Sequence, residues 1–256
     1  MLGGIAGDII GSRFEHAQIK TKDFELFNRQ CTFTDDTVHT VAVADSLLTK
    51  IPYQVNFVSY FKHYPNAGYG HRFRRWARAP RQAPYGSFGN GSAMRVSPIA
   101  WYYDSLDKVL EEALHSAEVT HNHPEGIKGA QAVAGAVYLA RTGADKEAIR
   151  SFVSERFGYD LSLTVDDIRP GYSFRVICQE SVPQAIVAFL DAADFEDAVR
   201  NAVSLGGDSD TLACIAGSIA EAYFGGVPET ISTGVFERLD ERLTATVRQF
   251  METIGR

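Results

Sequence analysis

The chain has 256 residues, and its 45% content of hydrophobic residues is sufficient for a sizeable core and unlike that of a disordered segment. Its net charge of -7 and its pI near 5.5 exclude a general attraction to nucleic acids or anionic membranes, although a local basic patch can still bind them. The three cysteines are widely spaced and lack a CxxC pattern, which predicts reduced thiols and a cytoplasmic protein. No signal peptide or transmembrane run is expected, because the N-terminus has no basic segment and the apolar runs are short.

The first predicted helix, residues 1–13, is rich in glycine. Its glycines recur at intervals of four, at Gly3, Gly7 and Gly11. Because each glycine costs a helix roughly 1 kcal/mol relative to alanine, we expect another backbone to pack closely against this face. Asp8 is interpreted as a buried, hydrogen-bonded structural carboxylate. Glu15 follows in a loop, either as a solvated surface acid or as a carboxylate that guards a site.

An acidic cluster follows the polar, irregular residues 17–33, a kind of segment that often forms a flap beside a site. The cluster is Thr34-Asp35-Asp36-Thr37. It opens an apolar helix predicted over residues 37–50, which ends at Pro52 because proline cannot continue it. A short helix is predicted over residues 53–63.

Residues 69–85 are basic and contain no acid. Five arginines are interleaved with two large aromatic residues: Arg72, Arg74, Arg75, Arg78 and Arg81, with Phe73 and Trp76. Such a mixture can bind single-stranded nucleic acid through phosphate contacts and base stacking. On an acidic background we favour a solvated helix that the two aromatic side chains anchor. The segment is still the best candidate in the sequence for binding a local anionic partner.

A glycine- and serine-rich loop at residues 86–95 leads into an apolar helix over residues 96–103. Amides of such a loop at a helix N-terminus can bind phosphate oxygens. The loop matches neither the P-loop nor the dinucleotide-binding pattern. A plain loop is therefore the default interpretation when it is considered alone.

Two histidines lie between the helices predicted over residues 105–119 and 126–141. A histidine in a loop is usually structural or solvated. His121 directly follows a helix end and is a better site candidate than His123.

A second acidic cluster follows helices predicted over residues 144–157, 182–192 and 194–205, with an irregular segment between residues 159 and 178. The cluster is Gly206-Gly207-Asp208-Ser209-Asp210-Thr211. It precedes a central, tightly packed helix and an amphipathic terminal helix that carries Phe236, Leu239, Leu243, Val247 and Phe250. Without period-two runs, repeats or linkers, the sequence predicts one all-α domain, residues 1–256, of about twelve helices.

The two acidic clusters stand in the same relation to their helices. Each could cap its helix and complement the helix dipole, but one aspartate would suffice for that. For either cluster alone, capping and metal binding are equally good explanations, because four-residue motifs often match by chance. Together they predict a shared site for two magnesium, manganese or calcium ions, since oxygen ligands without nearby histidine or cysteine argue against zinc.

Six motifs follow one another along the chain: GxxxGDxxGSxxE at residues 3–15, TDDT at 34–37, GNGSAMR at 89–95, TH at 120–121, SVPxA at 181–185 and GGDSDT at 206–211. This series resembles the ADP-ribosylglycohydrolase family, and the resemblance extends from Gly3 to about Pro228. It implies a compact orthogonal bundle of helices with two Mg²⁺ ions, for which Mn²⁺ can substitute. It also implies hydrolysis of the glycosidic bond between ADP-ribose and a modified target, which is a protein arginine or serine or a nucleic acid.

The resemblance further implies roles for individual residues. The metal ligands would be Thr34, Asp35, Asp36, Asp208, Asp210 and Thr211. The diphosphate and ribose would be held by Ser87, Phe88, Gly89, Asn90, Gly91, Ser92, Met94 and Arg95. His121 would contact the distal ribose or a phosphate. The carboxylates that could assist proton transfer are Asp36, Asp210 and Glu15, and Glu15 matches the flap glutamate of the serine-directed branch of the family.

Two other functions are weighed against this one. A catalytically silent relative would bind ADP-ribose or a nucleotide without turnover, but it would not need intact acidic clusters. A phosphohydrolase with the same metal centre would release AMP instead of ADP-ribose. The expected partners are an ADP-ribosylated protein or nucleic acid as substrate and ADP-ribose as product, with no membrane, and the chain is expected to be a monomer.

Overall fold

Helices provide almost all of the regular structure in the computed structural model, which describes residues 1–255. The fourteen α-helices in this range are α1 (Leu2–Gly11), α2 (Asp35–Thr49), α3 (Tyr53–His63), α4 (His71–Arg78), α5 (Ser97–Tyr102), α6 (Leu106–Glu118), α7 (Pro124–Arg141), α8 (Lys146–Phe157), α9 (Val165–Ile168), α10 (Cys178–Leu190), α11 (Phe195–Ser204), α12 (Ser209–Tyr223), α13 (Glu229–Phe236) and α14 (Glu241–Thr253). Single 3-10 turns occur at Ser12–Phe14 and Asn90–Ser92. The described residues contain no β-strand, and the predicted all-α fold is confirmed.

Several predicted boundaries were wrong. The chain forms α9 inside the stretch expected to be irregular, because Thr164 and Asp167 cap that short helix reciprocally. A single helical turn leaves no periodic pattern that a sequence can reveal. The predicted start at residue 182 was wrong, because α10 begins at Cys178 and contains Pro183. A proline inside a helix has no backbone N–H to donate to the preceding turn. Phe236 ends α13 and Leu239 lies between α13 and α14, so neither is part of the terminal helix.

Helices α1 and α12 pack with their backbones in contact. A methyl group added to Gly3, Gly7 or Gly11 would lie only 2.3, 2.0 or 2.5 Å from a backbone oxygen of α12. Those oxygens belong to Gly217, Ala213 and Ser209, respectively. The partner numbers fall as the glycine numbers rise, so the two helices run antiparallel. The close backbone approach expected from the glycine spacing is confirmed.

The core is centred on α12, whose side chains are buried along its whole length except at Tyr223. It packs against α1, α2, α7, α10 and α11. Because α1 is antiparallel to α12, the C-terminal end of α1 lies beside the N-terminal end of α12. This arrangement brings the segment after residue 8 next to the second acidic cluster.

Helix α4 is anchored as the sequence predicted. Phe73 and Trp76 are 6% and 5% exposed, and both rings belong to the hydrophobic core. Their burial leaves them unable to act as a stacking platform for bases. The face of α4 that reaches solvent is made of arginine and histidine side chains.

The three cysteines are free and buried, as expected. Among residues 1–255, no helix combines the length and the apolar character needed to cross a bilayer.

Candidate active site

The C-terminal end of α1 and the N-terminal ends of α2 and α12 meet at one place, and Asp8 connects α1 to the start of α2. The Asp8 side chain is fully buried in α1 and accepts hydrogen bonds from the backbone N–H groups of Thr34 and Thr37, at 2.9 and 3.0 Å. The hydroxyls of the same two threonines also donate to it. Asp8 therefore fixes the start of α2 against α1, and the interpretation of Asp8 as a structural carboxylate agrees with this geometry.

The two acidic clusters lie side by side at the N-termini of α2 and α12. Thr211 in α12 donates its hydroxyl to Asp36 Oδ2 in α2, at 3.3 Å. Residues 175 positions apart in the chain are thus in direct contact. The predicted convergence of the clusters is present in the fold.

Capping accounts for only part of the two clusters. The Thr34 side chain accepts a hydrogen bond from Asp36 N and caps α2. Asp208 occupies the corresponding position before α12, but its side chain makes no capping bond. Instead it accepts a hydrogen bond of 2.6 Å from Asn90 Nδ2 in the glycine-rich loop. Asp208 is therefore directed toward the loop and not toward its own helix.

The carboxylates form two overlapping groups. Oxygens of Asp8, Asp36 and Asp210 all lie within 4.8 Å of one another, and so do oxygens of Glu15, Asp208 and Asp210. Asp210 is common to both groups. Asp8 already accepts four hydrogen bonds, so Asp36 and Asp210 are the members of the first group with free coordination capacity. Asp35 lies outside these groups but lines the same cavity.

Burial and mutual repulsion disfavour ionisation of these groups. Burial is the main cause of the raised pKa of Asp35, Asp36 and Asp210, and repulsion by neighbouring carboxylates raises each pKa further. The pKa of Glu15 is raised by burial and by the charge of Asp208. Such a concentration of buried acids stores unfavourable energy that a bound cation would relieve.

These carboxylates form the floor of a cavity of about 370 Å³, a volume within the range of small-molecule sites. Its lining includes nearly all residues that the resemblance assigned to metal or substrate: Glu15, Thr34, Asp35, Asp36, Ser87, Phe88, Gly89, Asn90, Gly91, Met94, Arg95, His121, Asp208, Asp210 and Thr211. Ser92 is the exception. It is fully buried behind the loop, where its hydroxyl donates to Gly126 O at 2.7 Å.

One wall of the cavity is the glycine-rich loop held against residues 174–177. Asn90 N donates to Val176 O and Cys178 N donates to Phe88 O, both at 2.9 Å. This pairing places three exposed apolar side chains at the cavity: Phe88, Phe174 and Val176, which are 37%, 39% and 47% exposed. Phe174 and Val176 were not identified from the sequence, because they lie in an irregular segment without periodicity.

A buried chain of hydrogen bonds orients His121. Arg95 Nη2 donates to Ser116 O at 2.7 Å and to Thr120 Oγ1 at 3.0 Å. Thr120 Oγ1 lies 2.7 Å from His121 Nδ1. A guanidinium only donates, and no other acceptor in residues 1–255 bonds this hydroxyl. The Thr120 proton therefore points to Nδ1, and the imidazole carries its own proton on Nε2.

This tautomer presents a neutral donor to the cavity. His121 Nε2 lies beside the loop, 3.3 Å from the position that a Cβ of Gly91 would occupy. Burial, followed by the charge of Arg95, lowers the pKa of His121 well below its usual value. His121 can thus donate a hydrogen bond to a phosphate or hydroxyl oxygen over the neutral pH range.

His39 was not identified from the sequence but lines the cavity beside Asp35. Its Nδ1 lies 3.9 Å from Asp35 Oδ2, and its ring is packed edge-on against Phe57, Tyr69 and Phe73. Burial lowers its pKa well below the usual value, so the ring is neutral. An isolated histidine within an apolar helix gave no signal that could have distinguished it from a core residue.

Comparisons with known proteins agree with this arrangement. The chain matches the family model for ADP-ribosylglycohydrolase over residues 1–255. It is 29% identical to the ADP-ribosylhydrolase ARH3 of Homo sapiens, with 90% of this chain and 86% of that protein covered. It is 28% identical to the ADP-ribosylarginine hydrolase Tri1 of Pseudomonas putida, over 88% of this chain and 69% of that protein. A solved structure of an ADP-ribosylglycohydrolase-related protein complex superposes with a TM-score of 0.73 at 25% identity, covering 98% of this chain and 95% of that chain.

Proposed function

Because the chain belongs to the ADP-ribosylglycohydrolase family, we propose that it hydrolyses the glycosidic bond between ADP-ribose and a modified protein or nucleic acid. The observation that carries this proposal is the cluster formed by Glu15 and the carboxylates of α2 and α12 on the floor of a cavity with apolar and amide-rich walls. The reaction breaks the bond between the anomeric carbon and the target. Water supplies the new oxygen on that carbon, and the target atom takes up a proton.

We further propose that this cluster binds two Mg²⁺ ions, for which Mn²⁺ can substitute. The donors are all oxygens, and Asp36 Oδ1 is buried without a hydrogen-bond partner in residues 1–255, as expected of a ligand to a hard cation. Asp210 would be shared between the ions, and the other ligands would be Thr34, Asp35, Asp36, Asp208 and Thr211. When bound, such a pair supplies Lewis acidity that stabilises negative charge and helps to ionise water.

Glu15 is the best placed of the candidate carboxylates for proton transfer. Its side chain is 28% exposed and lines the cavity, whereas Asp36 and Asp210 are 2% and 4% exposed. Burial and the charge of Asp208 raise its pKa, which favours the protonated form that a general acid needs. Asp36 and Asp210 would act mainly by positioning the ions and the attacking water.

The walls of the cavity suit the remainder of an ADP-ribosyl group. The loop residues offer backbone and side-chain donors, and His121 adds a neutral N–H group, so the loop can bind a diphosphate and ribose. Phe88 and Val176 present exposed apolar surfaces on which a flat base could pack. Arg95 is 1% exposed and donates to Ser116 O and Thr120 Oγ1, so its role is to support the wall and to place positive charge behind it.

A substrate panel tests the proposed function. Wild-type protein is incubated with an ADP-ribosyl-arginine peptide, an ADP-ribosyl-serine peptide and an ADP-ribosylated oligonucleotide, with Mg²⁺ or with a chelator, and the products are resolved by mass spectrometry. We expect intact ADP-ribose from at least one substrate, and only when Mg²⁺ is present. Release of AMP would indicate a phosphohydrolase. Tight ADP-ribose binding without turnover would indicate a silent relative, and either result would refute the proposal.

We predict that Thr120→Val weakens ADP-ribose binding by about tenfold, because it leaves His121 Nδ1 without its donor and removes an acceptor from Arg95. An unsatisfied buried partner costs about 1–3 kcal/mol, so thermal stability should fall as well. Isothermal titration gives the affinity, and long-range nitrogen NMR of His121 reports its tautomer. Thr120→Ser retains the hydroxyl and should behave like the wild type. Unchanged affinity and tautomer in Thr120→Val would contradict the proposed orientation of His121.

A further inference from the structure

The longest acid-free part of the chain contributes residues between Gly68 and Arg95 to the lining of the cavity. Between Asp45 and Asp104 there is no aspartate or glutamate, and this stretch includes α3, α4 and the glycine-rich loop. Helix α3, which packs against α4, contains no acidic residue that could neutralise the positive charge of α4. The region contrasts with the net charge of -7 of the whole chain.

Helix α4 exposes its positive charge on one continuous face, here called the arginine face. The face consists of His71, Arg74, Arg75 and Arg78, which line a shallow groove, together with the exposed Arg72 of α4 and the exposed Arg81, which follows α4 in the chain. Within residues 1–255, none of these side chains forms a salt bridge. Guanidinium groups that lack a carboxylate partner and lie this close together favour an anionic ligand.

The arginine face is continuous with the cavity. His71 lines both the groove and the cavity, and Arg72 lines the cavity. A Cβ at Gly68, just before α4, would lie 3.4 Å from Asp35 Oδ1 on the cavity floor. A molecule that extends out of the cavity on this side therefore meets the arginines.

The chemistry of the face distinguishes between anionic partners. Stable protein interfaces depend on tryptophan, tyrosine and arginine side chains that are packed in fully desolvated pockets at their centre. Here Phe73, Trp76 and Ala77 are buried within the fold, and Ala79 is the one apolar residue that lines the groove. Guanidinium groups bind phosphate oxygens in a bidentate manner and need no apolar contact. A chain of regularly spaced phosphates thus fits better than an acidic protein surface.

We infer that the arginine face binds the phosphate backbone of a nucleic acid strand whose ADP-ribosyl group occupies the cavity. This inference deepens the proposed function, because it selects nucleic acid among the substrate classes. Phosphate contacts position a strand without reading its sequence, so the binding depends on strand charge and not on base identity.

The first test measures binding alone. A short fluorescein-labelled single-stranded DNA without ADP-ribose is titrated with protein, and anisotropy is followed as salt is raised. Compared with the wild type, Arg75→Gln/Arg78→Gln should bind at least about fivefold more weakly, with a salt slope smaller by about 1.4, since each phosphate contact contributes about 0.7. The control variant Arg156→Gln/Arg248→Gln removes the same amount of charge from exposed sites on α8 and α14. It should change neither the DNA affinity nor the salt slope.

The second test measures turnover of an ADP-ribosylated oligonucleotide and of a short uncharged ADP-ribosyl-serine peptide. Arg75→Gln/Arg78→Gln should raise KM for the oligonucleotide at least about fivefold and leave peptide kinetics unchanged. Equal binding of DNA by wild type and variant, or tighter binding of a labelled glutamate-rich peptide than of DNA, would overturn the inference. Normal DNA binding without hydrolysis of any substrate would refute the proposed function but leave the binding surface intact.

Discussion

Asp210→Asn is expected to reduce kcat/KM by more than about 100-fold, since loss of a proposed metal ligand should exceed the 10–100-fold effects that are typical of outer-shell partners. Asp210 is the carboxylate that both acidic groups share, so its loss would disturb both proposed ion sites. Its backbone hydrogen bond from Thr211 N can be kept by an amide oxygen. The helical fold should therefore be retained, as far-ultraviolet circular dichroism would show.

The same variant should be at least as thermostable as the wild type when both are measured in a chelator near neutral pH. Folding raises the pKa of Asp210 well above its ordinary value of 3.8, so the ionised group opposes folding once the pH exceeds that ordinary value. The opposition is complete above the raised pKa and disappears as the pH falls toward 3.8. The advantage of the variant should therefore shrink on acidification.

Addition of Mg²⁺ should make the wild type more thermostable than Asp210→Asn. A cation that binds only the folded state raises the melting temperature, and we expect this increase for the wild type but little for Asp210→Asn. The matched control is Asp107→Asn, at an exposed position in the first turn of α6. It should retain both activity and the response to magnesium. Near-wild-type activity of Asp210→Asn in Mg²⁺ would remove the basis for the ligand assignment.

Gly7→Ala is expected to destabilise the protein by about 3 kcal/mol, at the upper end of the usual cost of overpacking. The added methyl group would lie 2.0 Å from the Ala213 carbonyl oxygen and 2.7 Å from Cys214 N. Both are backbone atoms in the middle of a buried helix, which cannot move aside as a flexible side chain can. For a chain of this size the melting temperature should fall by roughly 6–12 °C.

Activity should also fall in Gly7→Ala, because separation of α1 from α12 displaces Asp8 relative to Asp210. Gly171→Ala is the control, since no atom lies within 4 Å of its added methyl group and its φ is not in the left-handed region. We expect that variant to stay within about 0.5 kcal/mol of the wild type. A melting temperature for Gly7→Ala equal to that of Gly171→Ala would show that the two backbones are not in close contact.

The resemblance of the six motifs to a known family predicted which residues line the cavity better than any single pattern did. Considered alone, the glycine-rich loop was interpreted as a plain loop. In the fold, Asn90 donates a hydrogen bond to Asp208 and the loop forms a wall of the cavity. Ser92 belongs to the same motif, yet it faces Gly126 and not the cavity. A motif identifies a segment, whereas the direction of each side chain depends on the elements that pack against it.

The sequence by itself determined the helical class, the tight glycine face of α1 and the two acidic helix starts, because each is a local property of spacing and residue type. Only the tertiary structure decided that Asp36 and Thr211 meet, that Arg95 donates a hydrogen bond to Thr120, and that Phe174 and Val176 reach the cavity. These relations join segments far apart in the chain. The meeting of Asp36 and Thr211 arises from the antiparallel packing of α1 on α12 and from the hydrogen bonds of Asp8. The position of Phe174 and Val176 arises from the pairing of their segment with the glycine-rich loop. A local sequence pattern contains no information on either contact.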